Sequence, residues 1–429
     1  MIRNGRAFTP AGLKEIDIWI KDGRVAALGG PHRARESIDA RGMLVLPGAI
    51  DAHVHFRDPG PTYKECWESG SASAACGGVT TVIDQPNTDP RTLDARSFQL
   101  KLDAARHGSL VDFCLNGGPG RIRELVSAGA SAIGEIFSYE HSYRDLEGIL
   151  EEVQNVGALA TIHAEDGEVL REMSERLQGR DDPEVHSLAR PVLAEVRALE
   201  RVLEGRQRIH ICHLSTAQGL STVEAARRRG RSVSCEVAPH HLLFDIRDYR
   251  VQGSLLKTNP PVRAREDCDA LWAGLRDGSV DILASDHAPH LPEEKRQGIW
   301  DAPSGVPGVE TMIPLMLMAV RRNMLSLERL VDATSRRPAR IFGLPHKGSI
   351  DLEKDADLAI FDTRAISRVR ADRLHSRAEW TPYEGREAIF PVMTLLRGEV
   401  IFDGDLAGVP GTGRLQRKDF MRTGTCSRS

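Results

Sequence analysis

The sequence lacks the features that would direct it to a membrane, a nucleic acid or an oxidising compartment. No apolar run approaches the roughly 20 residues of a membrane helix, and the opening MIRNGRAFTP has no signal-like apolar segment. A formal net charge of −4 over 429 residues gives no electrostatic reason to bind nucleic acid or an anionic membrane. The seven cysteines form no CxxC pair, which indicates reduced thiols. We expect a soluble, cytoplasmic protein that acts on a small molecule.

The sequence does contain a change of pattern near residue 48. Before it, IDIWIKDGRVAALG alternates apolar and polar residues and breaks at Asp22-Gly23, which is typical of a β-hairpin. Between residues 48 and 345, short apolar runs such as VTTVID and VDILAS alternate with amphipathic stretches such as YRDLEGILEEVQNVG. This alternation predicts an α/β fold, a (β/α)8 barrel, whose reactive residues follow the carboxyl ends of the strands.

The two ends of the chain share a third pattern. Residues 346–410 return to short alternating runs, as in GSIDLEKDADLAIFD and VMTLLRGEVIFDG. We expect them to pair with residues 1–47 in a small composite β-sandwich domain beside the catalytic barrel. Residues 411–429 are polar and weakly patterned, which predicts a flexible tail.

Four histidines and one aspartate occupy the same relative place, at the end of an apolar run. His53 and His55 follow VLPGAID, His163 follows ALATI, His213 follows RIHIC and Asp286 follows VDILAS. Imidazole and carboxylate are ligands of divalent ions such as Zn²⁺. Residues two apart in a strand point to the same side, so His53 and His55 can bind one ion. A single such histidine is more often structural, but five residues in this pattern predict a metal centre.

Several motifs together resemble the cyclic amidohydrolases, and among them the dihydroorotases. They are PGAIDAHVHFRDPG, AACGGVTTVIDQPNTDP, IHAED, ICHLST, CEVAPHHL, TNPPVR, ASDHAPH and SGVPGVETMIPL, and the resemblance runs in register from about residue 40 to 400. It implies a hydrolase with two divalent ions per chain, Zn²⁺ first among them. The implied reaction is reversible hydrolysis of the cyclic amide of (S)-dihydroorotate to N-carbamoyl-L-aspartate in de novo pyrimidine (UMP) biosynthesis.

The resemblance also implies the roles of the five residues. His53 and His55 bind one ion, and Asp286 contacts the same ion. His163 and His213 bind the second ion. Asp286 is the catalytic residue: it takes the proton of the attacking water and passes it to the departing amide nitrogen, a general base that becomes a general acid.

A second group of residues is expected to bind the substrate. Arg57 offers a planar fork of donors for a carboxylate that takes no part in the ring chemistry. Holding that carboxylate orients the amide for attack. The substrate-binding residues implied by the resemblance are His55, Arg57, Asn87, Asn259, His290 and the backbone near Ser304 and Gly305.

One segment, ASAIGEIFSYEHSY, departs from the relatives it resembles. Many of them bridge the two ions with a carboxylated lysine in a Lys-x-Phe context, and here Glu135-Ile136-Phe137 takes its place. We predict that Glu135 supplies the bridging carboxylate. Glu140 and His141 remain rivals because relatives with aspartate have their acid slightly later. An ordinary solvated loop glutamate is the remaining interpretation.

Other interpretations stay open at this point. The chain is also compatible with a hydantoinase or an allantoinase, which share the fold but have less need of Arg57, Asn87 and His290 together. A non-catalytic partner of aspartate carbamoyltransferase is a third interpretation, although such chains are expected to have lost metal ligands. The resemblance is compatible with a homodimer and with association with that transferase. We also predict a movable loop over the site, formed by the polar, glycine- and proline-containing segment HLPEEKRQGIWDAPSG.

Overall fold

The chain begins with seven short strands that fold back on one another. The computed structural model describes residues 1–417. The hairpin predicted at Asp22-Gly23 is present, with Lys21 paired to Arg24 across the turn. The strands are β1 (Ile2–Arg3), β2 (Arg6–Thr9), β3 (Gly12–Glu15), β4 (Ile18–Lys21), β5 (Arg24–Leu28), β6 (Ile38–Asp39) and β7 (Leu44–Pro47).

Eight parallel strands follow and form a closed barrel, as the alternating pattern predicts. They pair in chain order in two sheets. Parallel bridges join Gly117 to Ile133 and Val54 to His287, which closes the two gaps between those sheets. The strands are β8 (Ala49–Val54), β9 (Val79–Asp84), β10 (Asp112–Leu115), β11 (Ile133–Phe137), β12 (Ala160–His163), β13 (Ile209–Ile211), β14 (Val233–Val237) and β15 (Ile282–Leu283).

Helices surround the barrel and bury one apolar face against it. In the helix Tyr143–Asn155, the buried residues Leu146, Leu150 and Val153 recur at the spacing of one helical face. Ser142 precedes this helix and accepts a hydrogen bond from the amide of Asp145 at 3.3 Å, which caps it. No helix among residues 1–417 is both long and apolar enough to cross a lipid bilayer.

The helical segments are short, with a longest length of 14 residues. They are α1 (Trp67–Cys76), α2 (Ala95–Gly108), α3 (Ile122–Ala128), α4 (Tyr143–Asn155), α5 (Gly167–Leu177), α6 (Val185–Ala189), α7 (Val192–Val202), α8 (Ala217–Arg228), α9 (Pro239–Leu243), α10 (Tyr249–Gln252), α11 (Arg265–Asp277), α12 (Pro292–Lys295), α13 (Met312–Arg321), α14 (Leu327–Val331) and α15 (Arg337–Phe342).

Both ends of the chain contribute to a two-sheet domain beside the barrel. The last strands are β16 (Leu358–Phe361), β17 (Ser367–Arg368), β18 (Glu387–Ala388), β19 (Met393–Leu396) and β20 (Glu399–Phe402). One sheet has the order β5-β4-β1-β6 and the other β20-β19-β16-β7-β2-β3. Strand β16 lies antiparallel to β7, so that Phe361 pairs with Leu44. Apolar side chains from both sheets share one buried core.

A buried lysine joins this domain to the barrel. Lys347 Nζ lies 2.5 Å from Asp112, 2.9 Å from Asp355 and 2.6 Å from Asp357. Asp112 begins strand β10 of the barrel, whereas Asp355 and Asp357 precede strand β16 of the small domain. Because the ammonium of Lys347 compensates carboxylates from both the barrel and the small domain, it fixes the small domain against the barrel.

The predicted tail differs from the structure over its first residues. Residues 411–417 lie along strand β10 instead of leaving the molecule: the amide of Phe113 donates to Arg414 O at 3.1 Å, and that of Gln416 to Phe113 O at 2.8 Å. Asp112 also accepts from the amide of Arg414 at 2.9 Å. These contacts with strand β10 hold residues 411–417 in place, although their sequence pattern is weak. The rest of the predicted tail lies outside the described residues.

The segment between β17 and β18 leaves the small domain and lies against the barrel mouth. Trp380 Nε1 donates to the carbonyl oxygen of His290 at 2.8 Å. Ser376 Oγ donates to Glu65 at 2.6 Å, and Arg386 donates to the carbonyl oxygen of Leu243 at 3.0 Å. The domain from the chain ends thereby holds loops that surround the open end of the barrel.

Candidate metal centre and substrate cavity

The barrel brings the predicted ligands together at the carboxyl ends of its strands. His53 lies in β8 and Glu135 in β11, His163 ends β12, and His213 and Asp286 follow β13 and β15. All are buried, with exposed fractions of 6% or less. Parallel strands deliver their carboxyl ends to one rim, so residues far apart in sequence meet there.

Glu135 occupies the centre of this cluster, with one oxygen directed to each pair of histidines. Its Oε1 lies 2.7 Å from His213 Nε2 and 3.2 Å from His163 Nδ1. Its Oε2 lies 3.5 Å from His53 Nε2 and 3.9 Å from His55 Nε2. One carboxylate therefore faces both of the ligand pairs expected from the sequence.

Strand β11 can deliver Glu135 to this point because residue 134 is a glycine. Gly134 has a φ of 137° and passes so close to strand β12 that a Cβ would lie 2.1 Å from the carbonyl oxygen of Thr161. A side chain there would push the two strands apart. The local sequence Gly-Glu thus combines a close strand approach with an inward carboxylate.

The rival acid in the same segment lies elsewhere. Glu140 ends a short 3-10 turn and pairs with Arg91 NH1 at 3.0 Å, with 34% of its side chain exposed. His141 follows that turn. Neither residue lies within the cluster around Glu135, because the turn after β11 carries them outward.

Between Asp286 and the histidines of strand β8, the spacing of the nitrogen and oxygen atoms fits a divalent ion better than it fits direct hydrogen bonds. Asp286 Oδ1 lies 3.4 Å from His55 Nε2 and 3.7 Å from His53 Nε2. Two ligands of a tetrahedral Zn²⁺ at ~2.1 Å from the ion are ~3.4 Å apart. His53 Nε2 and His213 Nδ1 are buried and have no hydrogen-bond partner among the described residues. The first of these unpaired nitrogens points between Glu135 and Asp286.

Three of the four imidazoles are held from behind by an oxygen atom. His53 Nδ1 lies 2.6 Å from Glu236 Oε1, and His55 Nδ1 lies 2.7 Å from Asn87 Oδ1. His163 Nε2 lies 2.6 Å from Glu165, whose other contact is Arg190. Such partners fix the ring and its tautomer, so that the opposite nitrogen is free to bind an ion.

The surrounding imidazoles keep the two central acids ionised. Burial alone would raise the pKa of Glu135, but the charge of His53 and contacts with His163 and His213 hold it well below its usual range. Burial would also raise the pKa of Asp286, and contact with His55 and the charge of His53 lower it instead. Both side chains are therefore carboxylates near neutral pH, which is the charge state of a metal ligand.

A cavity of about 110 Å³ opens directly beside this cluster of histidines and carboxylates. His55, Glu135, His163, His213 and Asp286 form its floor. The other residues around it are Arg57, Asn87, Phe137, Tyr139, Asn259, Ala288, Ser304 and Gly305. All of the substrate-binding residues predicted from the sequence lie at this cavity except His290, which contacts two of its lining residues. His290 Nε2 lies 3.3 Å from Arg57 and 3.0 Å from Ser304 O.

The polar groups of the cavity are not all free to contact a ligand. Asn87 uses its Oδ1 on His55, and Asn259 Oδ1 accepts from Ser304 Oγ at 3.1 Å. The amide of Gly305 donates to Lys257 O at 2.9 Å, and its carbonyl oxygen accepts from Lys295 Nζ at 2.9 Å. Gly305 therefore shapes the cavity by its path, with both of its backbone groups already bonded.

Two lysines near the cavity were not anticipated. Lys295 is fully buried in α12, and its Nζ donates to the carbonyl oxygens of Lys257, Pro303 and Gly305 at 2.9 to 3.0 Å. It ties the segment expected to be a movable loop to the cavity wall. Lys64 Nζ lies 3.1 Å from His290 Nδ1. Neither lysine carries a sequence signal, since both lie in polar stretches typical of solvated loops.

The glutamates behind the histidines were also missed, as was the strain around the site. Glu236 belongs to strand β14, and its role is visible from its contact with His53, 183 residues away, and from its contact with His210 at 2.9 Å. Arg57, His213 and Asp286 have positive φ angles of 60°, 30° and 49°. Such backbone geometry is rare outside glycine and clusters at functional sites.

Two further histidines lie close to this region. His240 Nε2 lies 4.0 Å from Asp286, and His241 Nε2 bonds the carbonyl oxygen of Pro260 at 3.1 Å.

Comparisons with known proteins agree with this geometry. Residues 44–396 match the family described as the Amidohydrolase family. The chain is 46% identical to a dihydroorotase of Methanosarcina mazei over 96% of each chain. It is 36% identical to an allantoinase of Rubrobacter xylanophilus over 97% of each chain. The solved L-hydantoinase (dihydropyrimidinase) of Arthrobacter aurescens is 33% identical and superposes with a TM-score of 0.94, covering 97% of this chain and 99% of that one. The chain belongs to the amidohydrolase family.

Proposed function

We propose that this amidohydrolase is a dihydroorotase, which reversibly hydrolyses (S)-dihydroorotate to N-carbamoyl-L-aspartate in pyrimidine biosynthesis. The observation that carries the proposal is the pairing of two features in one cavity. Its floor holds buried carboxylates and imidazoles suited to divalent ions. Its wall holds the half-buried Arg57, whose buried Nε has no hydrogen-bond partner among the described residues. A cyclic amide with a carboxylate substituent needs both.

The proposed metal centre would hold two divalent ions, with Zn²⁺ as the preferred metal. His53, His55 and Asp286 are the proposed ligands of the first ion, and His163 and His213 those of the second. Glu135 is the proposed bridge, because its two oxygens face the two histidine pairs. When bound, the ions supply Lewis acidity that polarises the amide carbonyl and makes hydroxide available near neutral pH.

The protein residues then have distinct tasks in hydrolysis. Arg57 binds the carboxylate of the substrate and, with His290, fixes the orientation of the ring. Asp286 accepts a proton from the attacking water while the oxygen bonds to the amide carbon. It returns that proton to the ring nitrogen as the carbon–nitrogen bond breaks, which opens the ring. The same steps in reverse order close N-carbamoyl-L-aspartate to the ring of dihydroorotate.

The allantoinase among the relatives and the hydantoinase among the solved structures make a cyclic amidase of another specificity the alternative. The rings of allantoin and hydantoin lack the carboxylate that Arg57 is proposed to bind. A cytoplasmic location, a homodimer and association with aspartate carbamoyltransferase stay predictions from the resemblance. The non-catalytic alternative is disfavoured because the full ligand set is present and buried.

Replacing Arg57 by methionine tests the assigned substrate. Loss of charge-assisted hydrogen bonds of ~1.5–3 kcal/mol lowers kcat/KM for dihydroorotate by about 10- to 100-fold, with metal content unchanged. Arg91→Met is the matched control, because Arg91 is 59% exposed and pairs with Glu140 outside the cavity. An Arg57→Met enzyme that keeps kcat/KM within threefold of the parent contradicts the proposed role.

A further inference from the structure

His290 lies between four polar groups that together determine which of its nitrogens carries the proton. Lys64 Nζ is 3.1 Å from Nδ1, and the carbonyl oxygen of Ser304 is 3.0 Å from Nε2. An ammonium can only donate and a carbonyl oxygen can only accept. Both contacts are satisfied at once only when Nδ1 is unprotonated and Nε2 carries the hydrogen.

The remaining two neighbours favour the opposite tautomer, but both lie farther from the ring than Lys64 and Ser304 do. Glu294 Oε2 lies 3.7 Å from Nδ1, which is beyond hydrogen-bond reach. Its other oxygen lies 2.8 Å from Lys64 Nζ and compensates that charge. Arg57 lies 3.3 Å from Nε2 and is only a donor, so it would bond Nε2 only in the opposite tautomer, and this contact is longer than the 3.0 Å contact of Nε2 with Ser304 O. Burial and the charges of Arg57 and Lys64 lower the pKa of His290 to about 2, which agrees with a neutral ring.

We propose that Lys64 is a positioning residue that holds His290 as its Nε2–H tautomer and thereby favours an anionic substituent on the substrate. In that tautomer, the Nε2–H is directed to the carbonyl oxygen of Ser304 and lies beside the guanidinium of Arg57, 3.3 Å away, so a carboxylate that accepts from Arg57 can share the Nε2–H with Ser304. Two converging donors are satisfied together by an acceptor placed between them, and a carboxylate is such an acceptor. The opposite tautomer would turn a lone pair towards the carboxylate and repel it.

Lys64 acts on the substrate only through His290. Its Nζ is engaged by Glu294 and by the histidine, and Lys64 is absent from the residues that line the cavity. The inference rests on the proposed function, because the anionic substituent is that of dihydroorotate. It adds a specificity determinant from the loop before α1, whose sequence PTYKE carries no catalytic motif.

The test combines kinetics with a direct reading of the tautomer in the metal-loaded full-length enzyme. Lys64→Met is expected to lower kcat/KM for dihydroorotate about 10- to 100-fold, mainly through KM, with metal content unchanged. Lys64→Arg restores a donor and recovers most of the loss. Lys14→Met, on the exposed strand β3, is the control and behaves as the parent enzyme.

Nitrogen-15 NMR of histidine-labelled protein, with the His290 signals assigned by their loss in His290→Asn, reads the protonation directly. The parent enzyme shows Nε2 protonated and Nδ1 unprotonated. Lys64→Met, which lacks the donor at Nδ1, shows the Nδ1–H tautomer, because Arg57 beside Nε2 and Glu294 near Nδ1 both favour it. Glu294→Gln is the control that separates a change of tautomer from a general disturbance of the loop. It breaks the ion pair between Glu294 and Lys64 but leaves Lys64 beside Nδ1.

Three results overturn the inference: an unchanged tautomer in Lys64→Met, a kcat/KM within threefold of the parent, or an equal loss in Glu294→Gln with the tautomer retained. A parent enzyme that does not hydrolyse dihydroorotate contradicts the proposed function instead. In that case the NMR comparison still tests whether Lys64 sets the tautomer, so the two failures are distinguishable.

Discussion

Replacing Glu135 by glutamine separates a bridging ligand from an ordinary buried acid. The substitution keeps the shape of a side chain that is 3% exposed and removes its charge. Both oxygens face histidines, at 2.7 Å for His213 and 3.5 Å for His53, so each proposed ion loses a charged ligand. Removing even an outer partner of a metal ligand weakens metal affinity ~10–100-fold. Loss of a direct, shared ligand is therefore expected to weaken each site more than ~100-fold, or by more than ~2.7 kcal/mol.

The assay is metal content after equilibration in zinc-buffered solution, measured with hydrolysis rates on the same samples. We expect Glu135→Gln to retain at most one ion per chain and to lose activity by at least ~100-fold. Glu140→Gln is the matched control from the same segment, since its exposed ion pair with Arg91 contributes ~0–1 kcal/mol. A Glu135→Gln protein with two ions and the activity of the parent would refute the bridging role.

Three further outcomes follow from the structure. His186 donates from Nε2 to Thr258 O at 2.9 Å, and burial lowers its pKa to about 3. The unfolded chain therefore binds one more proton below pH ~6.5, and this residue makes stability fall by ~1.4 kcal/mol per pH unit towards pH 4. Urea titrations of His186→Gln should show a pH slope smaller by that amount; an unchanged slope counts against a neutral buried imidazole. Lys347→Met leaves the buried carboxylate of Asp357 without a cationic partner, whereas Asp112 keeps Arg397 and Asp355 keeps Arg24. It should lower the free energy of unfolding by ~3–5 kcal/mol in urea titrations, and a loss below ~1 kcal/mol contradicts the junction role. Glu236→Gln should weaken zinc affinity ~10–100-fold in competition with a chelator, and parent-like affinity means that Glu236 does not orient His53.

The sequence predicted the fold because barrel strands and helices have different hydrophobic periods. The alternation of short apolar runs with amphipathic stretches located the barrel strands. The residues directly after those apolar runs lie together at one rim of the barrel. His53 and His55 were the strongest signal, since two imidazoles at a spacing of two must face one side of a strand. The small domain was predictable as β structure from the alternating runs at both ends.

Contacts between distant residues were beyond the reach of sequence patterns. Glu236 and His53 are 183 positions apart, and Lys64 and His290 are 226 apart. Lys295 lies in a polar, proline- and glycine-containing segment that indicates a solvated loop, yet it is fully buried because three carbonyl oxygens converge on its ammonium. Nothing in local hydropathy distinguishes such a lysine from an exposed one. Such residues are visible only when the folded chain brings their partners together.

The measurement that tests the central claim most directly is hydrolysis of L-dihydroorotate by the purified chain, with hydantoin and allantoin as competing substrates and metal content determined on the same sample. We expect turnover confined to dihydroorotate, with close to two divalent ions per chain. Turnover of hydantoin or allantoin in preference to dihydroorotate, or a chain that binds two ions and leaves dihydroorotate intact, would contradict the proposed function.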